Sequence, residues 1–155
     1  MVNMMASLSR QRGVNAVELM VTLAIIGIVA AVAMPAMSSM VDGQRLKAAA
    51  TDLHSTLLLA RSEAIKRNTD VELVPSANGW AGGWSVELAD GTVLSEQAAY
   101  TNLAISGPDA LVYTGNGRLD GATAPEFELS GGATDNLRCV TVDLSGRPAN
   151  KKDAC

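Results

Sequence analysis

Gly13-Val14-Asn15-Ala16-Val17-Glu18-Leu19-Met20-Val21-Thr22-Leu23-Ala24-Ile25-Ile26-Gly27-Ile28 is the stretch on which the fold turns. From Leu19 to Val41, 23 residues pass without a charge. A helix of that length is about 35 Å long, enough for a bilayer core of about 30 Å. Leu23, Ala24, Ile25, Ile26, Ile28 and Val29 cover every face of such a helix, whereas a core helix of a small domain keeps a polar side. Residues 1–13 carry Arg10 and Arg12 and no acid, which places that end in the cytoplasm and the rest of the chain across the membrane. A secretory signal has an apolar core of about 7–15 residues and then a small-residue cleavage site. This run is longer and leads straight into a second helical pattern, so removal by ordinary signal peptidase is not expected. Glu18 stands at its head, where an ionised carboxylate is costly unless paired. It either reaches back to interfacial water or needs a positive partner, from another chain or from the protein's own terminus.

The remaining composition closes off several function classes. Hydrophobic residues make up 48% of the 155 and charged residues 18%, which excludes a disordered chain. A net charge of −4 excludes a protein that coats nucleic acid. One histidine and two cysteines leave no room for a His/Cys zinc site, and no metal or cofactor is expected. The aromatics are Trp80, Trp84, Tyr100, Tyr113 and Phe127, too few for a base-stacking platform.

Beyond the apolar run a helical pattern extends from Asp42 to about Arg67. Leu46, Ala50, Leu53, Leu57, Ala60, Ala64 and Ile65 trace one stripe at steps of three and four, closed by a step of one. One long helix is therefore expected to pass from the membrane segment into the head and lay this stripe on a sheet. His54 reads as a surface or interface histidine. From Val71 the period becomes two, with strands expected at 71–74, 84–88, 92–94, 103–106, 111–114, 126–129 and 139–144. Asn78-Gly79, Gly82-Gly83, Asp90-Gly91, Asn116-Gly117, Gly131-Gly132 and Ser145-Gly146 supply turn signals. The fold class is α+β: a long N-terminal helix on an antiparallel β-sheet head. Gly115-Asn116-Gly117-Arg118 lacks both a following helical pattern and a Lys-Ser/Thr pair, so it reads as a turn and not as a phosphate loop.

The segment from Arg12 to Ile28 resembles the class III signal of type IV prepilins and type II secretion pseudopilins, with Val14 where Phe is usual. The resemblance implies that prepilin peptidase cuts after Gly13 and N-methylates Val14. It implies that Glu18 registers a subunit by meeting a neighbour's terminal amine, and that Pro35 is the family's helix-interrupting proline. Ala60-Arg61-Ser62-Glu63-Ala64-Ile65-Lys66-Arg67-Asn68, Trp80 with Gly83-Trp84, Val112 to Arg118 and Val140 to Arg147 resemble the GspH/FimT branch. That branch holds minor pilins of type IV pili and a minor pseudopilin of type II secretion. The implied organisation is a leader over residues 1–13, a transmembrane and assembly helix over 14–41, and a periplasmic head over 42–155. The implied partners are prepilin peptidase, other major and minor pilins or pseudopilins, and the inner membrane. The subunit works by assembly into a pilus or pseudopilus. No catalytic residue is expected, since a hydrolase would need a nucleophile and base that the lone His54 does not supply.

Cys139 and Cys155, both outside the cytoplasm in this topology, are expected to pair. Charge is split: residues 68–137 hold ten acids and Arg118, whereas Arg138, Arg147, Lys151 and Lys152 crowd the end of the chain. Some FimT-branch members take up DNA through a Gly-Arg-x-Arg tail. Gly146-Arg147-Pro148-Ala149 keeps its first half, with Lys151 and Lys152 as further cations. A solvated tail or subunit contact is the leading reading of this cluster, and double-stranded DNA is an alternative partner.

Overall fold

A computed structural model describes residues 15–131 and 134–155, and side chains for all of these except 34–36, 38, 134 and 135. Gly13, Val14 and the leader thus lie outside the described residues, as does Gly132 of the expected Gly131-Gly132 turn.

One helix, α1, spans Ala16–Arg67. Asn15 caps it: its Oδ1 accepts from the Val17 N–H at 3.3 Å, and its carbonyl accepts from the Leu19 N–H at 3.2 Å. At the far end Asn68 turns left-handed (φ 50°). The Thr69 N–H then reaches the Ala64 carbonyl and the Asn68 N–H the Ile65 carbonyl, each at 3.3 Å, the paired bonds of a Schellman ending. Pro35 was expected to interrupt this helix. It lies within α1, which resumes beyond it, so the missing proline N–H removes a bond without ending the element. The chain divides into two compact units between residues 37 and 38.

In the unit that begins at residue 38, α1 buries Leu46, Ala49, Ala50, Leu53, Leu57, Ala60 and Ala64. Ile65 does not share that face. It is 51% exposed, because a step of one residue turns about 100° around the helix and carries the side chain off the stripe.

Among the described residues eight strands follow: β1 Val71–Ser76, β2 Gly79–Leu88, β3 Val93–Gln97, β4 Leu103–Ser106, β5 Leu111–Tyr113, β6 Glu126–Gly131, β7 Thr134–Val142 and β8 Pro148–Lys151. They form two antiparallel sheets, ordered β3-β2-β1-β5 and β4-β6-β7-β8. In register, Leu73 faces Val86, Phe127 faces Val140 and Lys151 faces Cys139. One core joins the α1 stripe to Val71, Leu73, Trp84, Val86 and Tyr113 of the first sheet and to Phe127, Leu129, Val140 and Val142 of the second.

Trp80, Trp84, Tyr113 and Phe127 lie in the core, and Tyr100 packs against it. Trp80 meets Phe127 edge-on at 4.8 Å between ring centroids, and Trp84 stacks on Tyr100 at 5.6 Å. Trp80 Nε1 donates to the Pro108 carbonyl at 2.8 Å, and the Tyr100 hydroxyl to Asp52 Oδ2 at 2.8 Å.

One expected turn is corrected. Gly82-Gly83 is no turn but lies inside β2. Gly83 sits at φ 99°, and a Cβ there would collide with the Gln97 carbonyl oxygen, so the glycine serves a close approach of strand and neighbour. In the basic segment beyond Arg147, Pro148–Lys151 pairs with β7 as an edge strand, its last three residues exposed.

Candidate functional site

The N-terminal part of α1 carries the first candidate surface. No residue of Ala16–Ala33 is buried, and Val17, Met20, Leu23, Ile26, Ile28 and Val32 are each more than 60% exposed. The Asn15 cap places Glu18 in the first turn, where the positive helix end favours a carboxylate. Glu18 is exposed and makes no hydrogen bond or ion pair with any described residue. A helix this apolar on all sides, opening on an unpaired carboxylate, has both a solvent and a partner still to find.

The C-terminal part of the head carries the second. Cys139 and Cys155 form the expected disulfide, with Cα atoms 5.1 Å apart. Arg147 ends a tight turn: the Gly146 N–H donates to the Asp143 carbonyl at 2.8 Å, and the Asp143 N–H to the Arg147 carbonyl at 3.1 Å. Asp143 Oδ1 accepts from the Arg147 N–H at 3.0 Å and the Ser145 hydroxyl at 2.6 Å, and these bonds hold its carboxyl below the usual range. The segment Thr114 to Arg118 repeats this bonding, Gly117 N–H to Thr114 carbonyl at 2.7 Å and Thr114 N–H to Arg118 carbonyl at 2.9 Å. Gly115-Asn116-Gly117-Arg118 is thus the turn that the sequence indicated.

Arg61 fastens the two turns together. Its Nε donates to the Gly117 carbonyl at 3.0 Å and its Nη2 to the Ser145 carbonyl at 3.2 Å. Gly146, at φ 83°, lies so close to Gly117 that a Cβ would strike the Gly117 carbonyl oxygen. The motifs that drew attention separately in the sequence, around Arg61, Asn116-Gly117-Arg118 and Ser145-Gly146-Arg147, meet at this one point.

Arg147, Lys151 and Lys152 follow the line of edge strand β8. Arg147 and Lys152 flank β8 at opposite ends, about 16 Å apart at strand rise. Lys151, the last residue of β8, lies opposite Cys139. Lys152 instead lines a cavity of about 280 Å³ with Lys47 of α1 and Arg138 of β7. Lys47 and Arg138 were not singled out as site residues, because nothing local in the sequence brings positions so far apart together.

An apolar helix continuing into a head where one stripe of it is buried under antiparallel strands is the architecture of type IV pilin-like subunits. The family model for the Type II transport protein GspH matches residues 49–146, and the chain belongs to that family. Two crystal forms of the type IV minor pilin FimU of Pseudomonas aeruginosa superpose with TM-scores of 0.61 and 0.62. They are 27% and 25% identical, over 70% and 72% of this chain and 96% and 93% of theirs. The minor pseudopilin EpsH from the Type 2 Secretion System of Vibrio cholerae shares the fold, with a TM-score of 0.57 at 16% identity over 70% of this chain and 97% of its own. A search of curated proteins returns no match. None of these comparisons supports a DNA-binding tail.

Proposed function

We propose that the chain is a minor pilin that joins a type IV pilus through its N-terminal helix. The unburied stretch Ala16–Ala33, opening on an unpaired Glu18 in a member of the GspH family, carries the reading. In the inner membrane the apolar helix sits in lipid as a single-pass anchor, with the head, residues 42–155, in the periplasm. Extraction into a filament exchanges lipid for the same apolar faces on neighbouring pilins. Glu18 is costly in lipid without a partner, so a neighbour's terminal amine favours entry in register. Prepilin peptidase supplies that amine by cutting after Gly13 and methylating Val14. The likeness to FimU at 27% identity favours the pilus. The family description favours a type II secretion pseudopilin as the second reading. In either machine the protein acts by assembly, not by catalysis.

Mass spectrometry of the protein extracted from membranes is expected to show loss of residues 1–13 and one added methyl group on Val14. A terminus still at Met1 in cells with active prepilin peptidase would overturn the proposal. Recovery of the chain in sheared surface pili separates the pilus reading from the secretion reading.

A further inference from the structure

Three cations from three separate elements surround one cavity of about 280 Å³: Lys47 on α1, Arg138 on β7 and Lys152 just beyond β8. Among the described residues no acid lines it, although acids outnumber bases 16 to 12 in the chain. None of the three cations has an ion-pair partner among the described residues. The nearby Asp42 is engaged with Arg45, at 3.6 Å. Gln44 and Asn136 add amide groups to the lining. A guanidinium fork, two ammonium groups and amide donors around an opening suit a phosphate oxyanion. The disulfide fixes the setting, because Cys139 follows Arg138 and Cys155 closes the segment that carries Lys152.

The place of the cavity along the chain indicates the source of the phosphate. A bilayer core takes up about 20 helical residues, and headgroups extend its thickness to about 40–45 Å. Counted from Glu18, the core ends near residue 38 and the headgroup layer near residue 43. Met40 and Gly43 line the cavity, and Lys47 is one helical turn further on. We propose that this cavity binds the phosphate of an anionic phospholipid headgroup in the membrane that the apolar segment crosses, and so holds the head against the surface until extraction. This rests on the membrane-anchor part of the proposed function.

The full chain in neutral detergent, titrated with phosphatidylglycerol or with phosphatidylcholine and examined by native mass spectrometry, tests it. The anionic lipid is expected to be retained at least tenfold over the neutral one. Lys47→Ala and Lys152→Ala, both at exposed positions, are each expected to lower that preference about fivefold. Lys151→Ala, which removes the same charge outside the cavity lining, is expected to leave it unchanged. Equal retention of the two lipids, an equal loss in Lys151→Ala, or capture of inorganic phosphate or duplex DNA with no lipid preference would overturn the inference. Flotation with vesicles separates the two levels. A chain that floats without headgroup preference overturns this inference alone, and a chain that does not float overturns the anchor as well.

Discussion

Arg61 reaches from the helix to two turn carbonyls, and the donor is charged, so the two bonds are worth more than their number suggests. Arg61→Ala leaves both carbonyls without this donor and is expected to destabilise the head by about 2 kcal/mol in urea unfolding. An unchanged midpoint would show that the turns hold each other without it. Tyr113 lies beneath them, fully buried, and its hydroxyl finds no hydrogen-bond partner among the described residues. Burial raises the pKa of Tyr113; Arg61 opposes this and the nearby Asp143 adds to it. Burial also raises Tyr100, helped by its bond to Asp52. Both tyrosines therefore stay protonated in the folded head above pH 10, where unfolded tyrosines begin to lose protons. The folded state then holds more protons than the unfolded state, so stability falls as pH rises through and beyond 10. Tyr113→Phe is expected to reduce that alkaline slope by up to one proton. A slope identical to the parent's would show that Tyr113 takes no part in it.

Among the elements, α1 was the most legible. Its ending near Arg67 and most of its buried stripe, Leu46, Ala50, Leu53, Leu57, Ala60 and Ala64, follow from local sequence, because a helix is made by neighbours three and four apart. The seven strands expected from alternation also appear, several of them longer than expected, since pairing extends a strand past its apolar residues. β8 was not legible. Only Pro148 in it is partly covered and the other three residues are exposed, so no alternation marks it, and the proline is tolerated because it opens an edge strand. What makes Pro148–Lys151 a strand is the neighbouring β7, helped by the disulfide. That bridge links residues 16 apart in sequence. By the chain-entropy argument it contributes about 3 kcal/mol, so Cys155→Ser is expected to lower stability by that order in chemical denaturation, with β8 losing amide protection first. Denaturation curves that coincide with and without reductant would show that the sheet alone holds the strand.

At the scale of the whole molecule, the family and the α+β architecture were legible, while the grouping of the cations was not. Arg147, Lys151 and Lys152 are close in sequence and dispersed along an edge strand, whereas Lys47, Arg138 and Lys152 are remote in sequence and line one cavity. Pattern along a chain reports faces of single elements, and which elements meet is decided by the core that joins them. Assembly is a property of the same scale. Glu18→Ala is expected to insert in the membrane at least as readily as the parent and to lose incorporation into filaments, measured by its recovery in sheared pili against the membrane fraction. Undiminished recovery would show that registration does not use the carboxylate. The Arg61 clasp has a kinetic consequence as well. Its two bonds span 56 and 84 residues, so each waits for a turn that is distant along the chain. Such interactions are absent from a folding nucleus built of nearer neighbours. Arg61 then acts as a latch: its loss leaves the refolding rate of the head nearly unchanged and speeds unfolding by about the full equilibrium effect, some thirtyfold for about 2 kcal/mol. The lifetime of the folded head, more than its ability to fold, is what this residue secures.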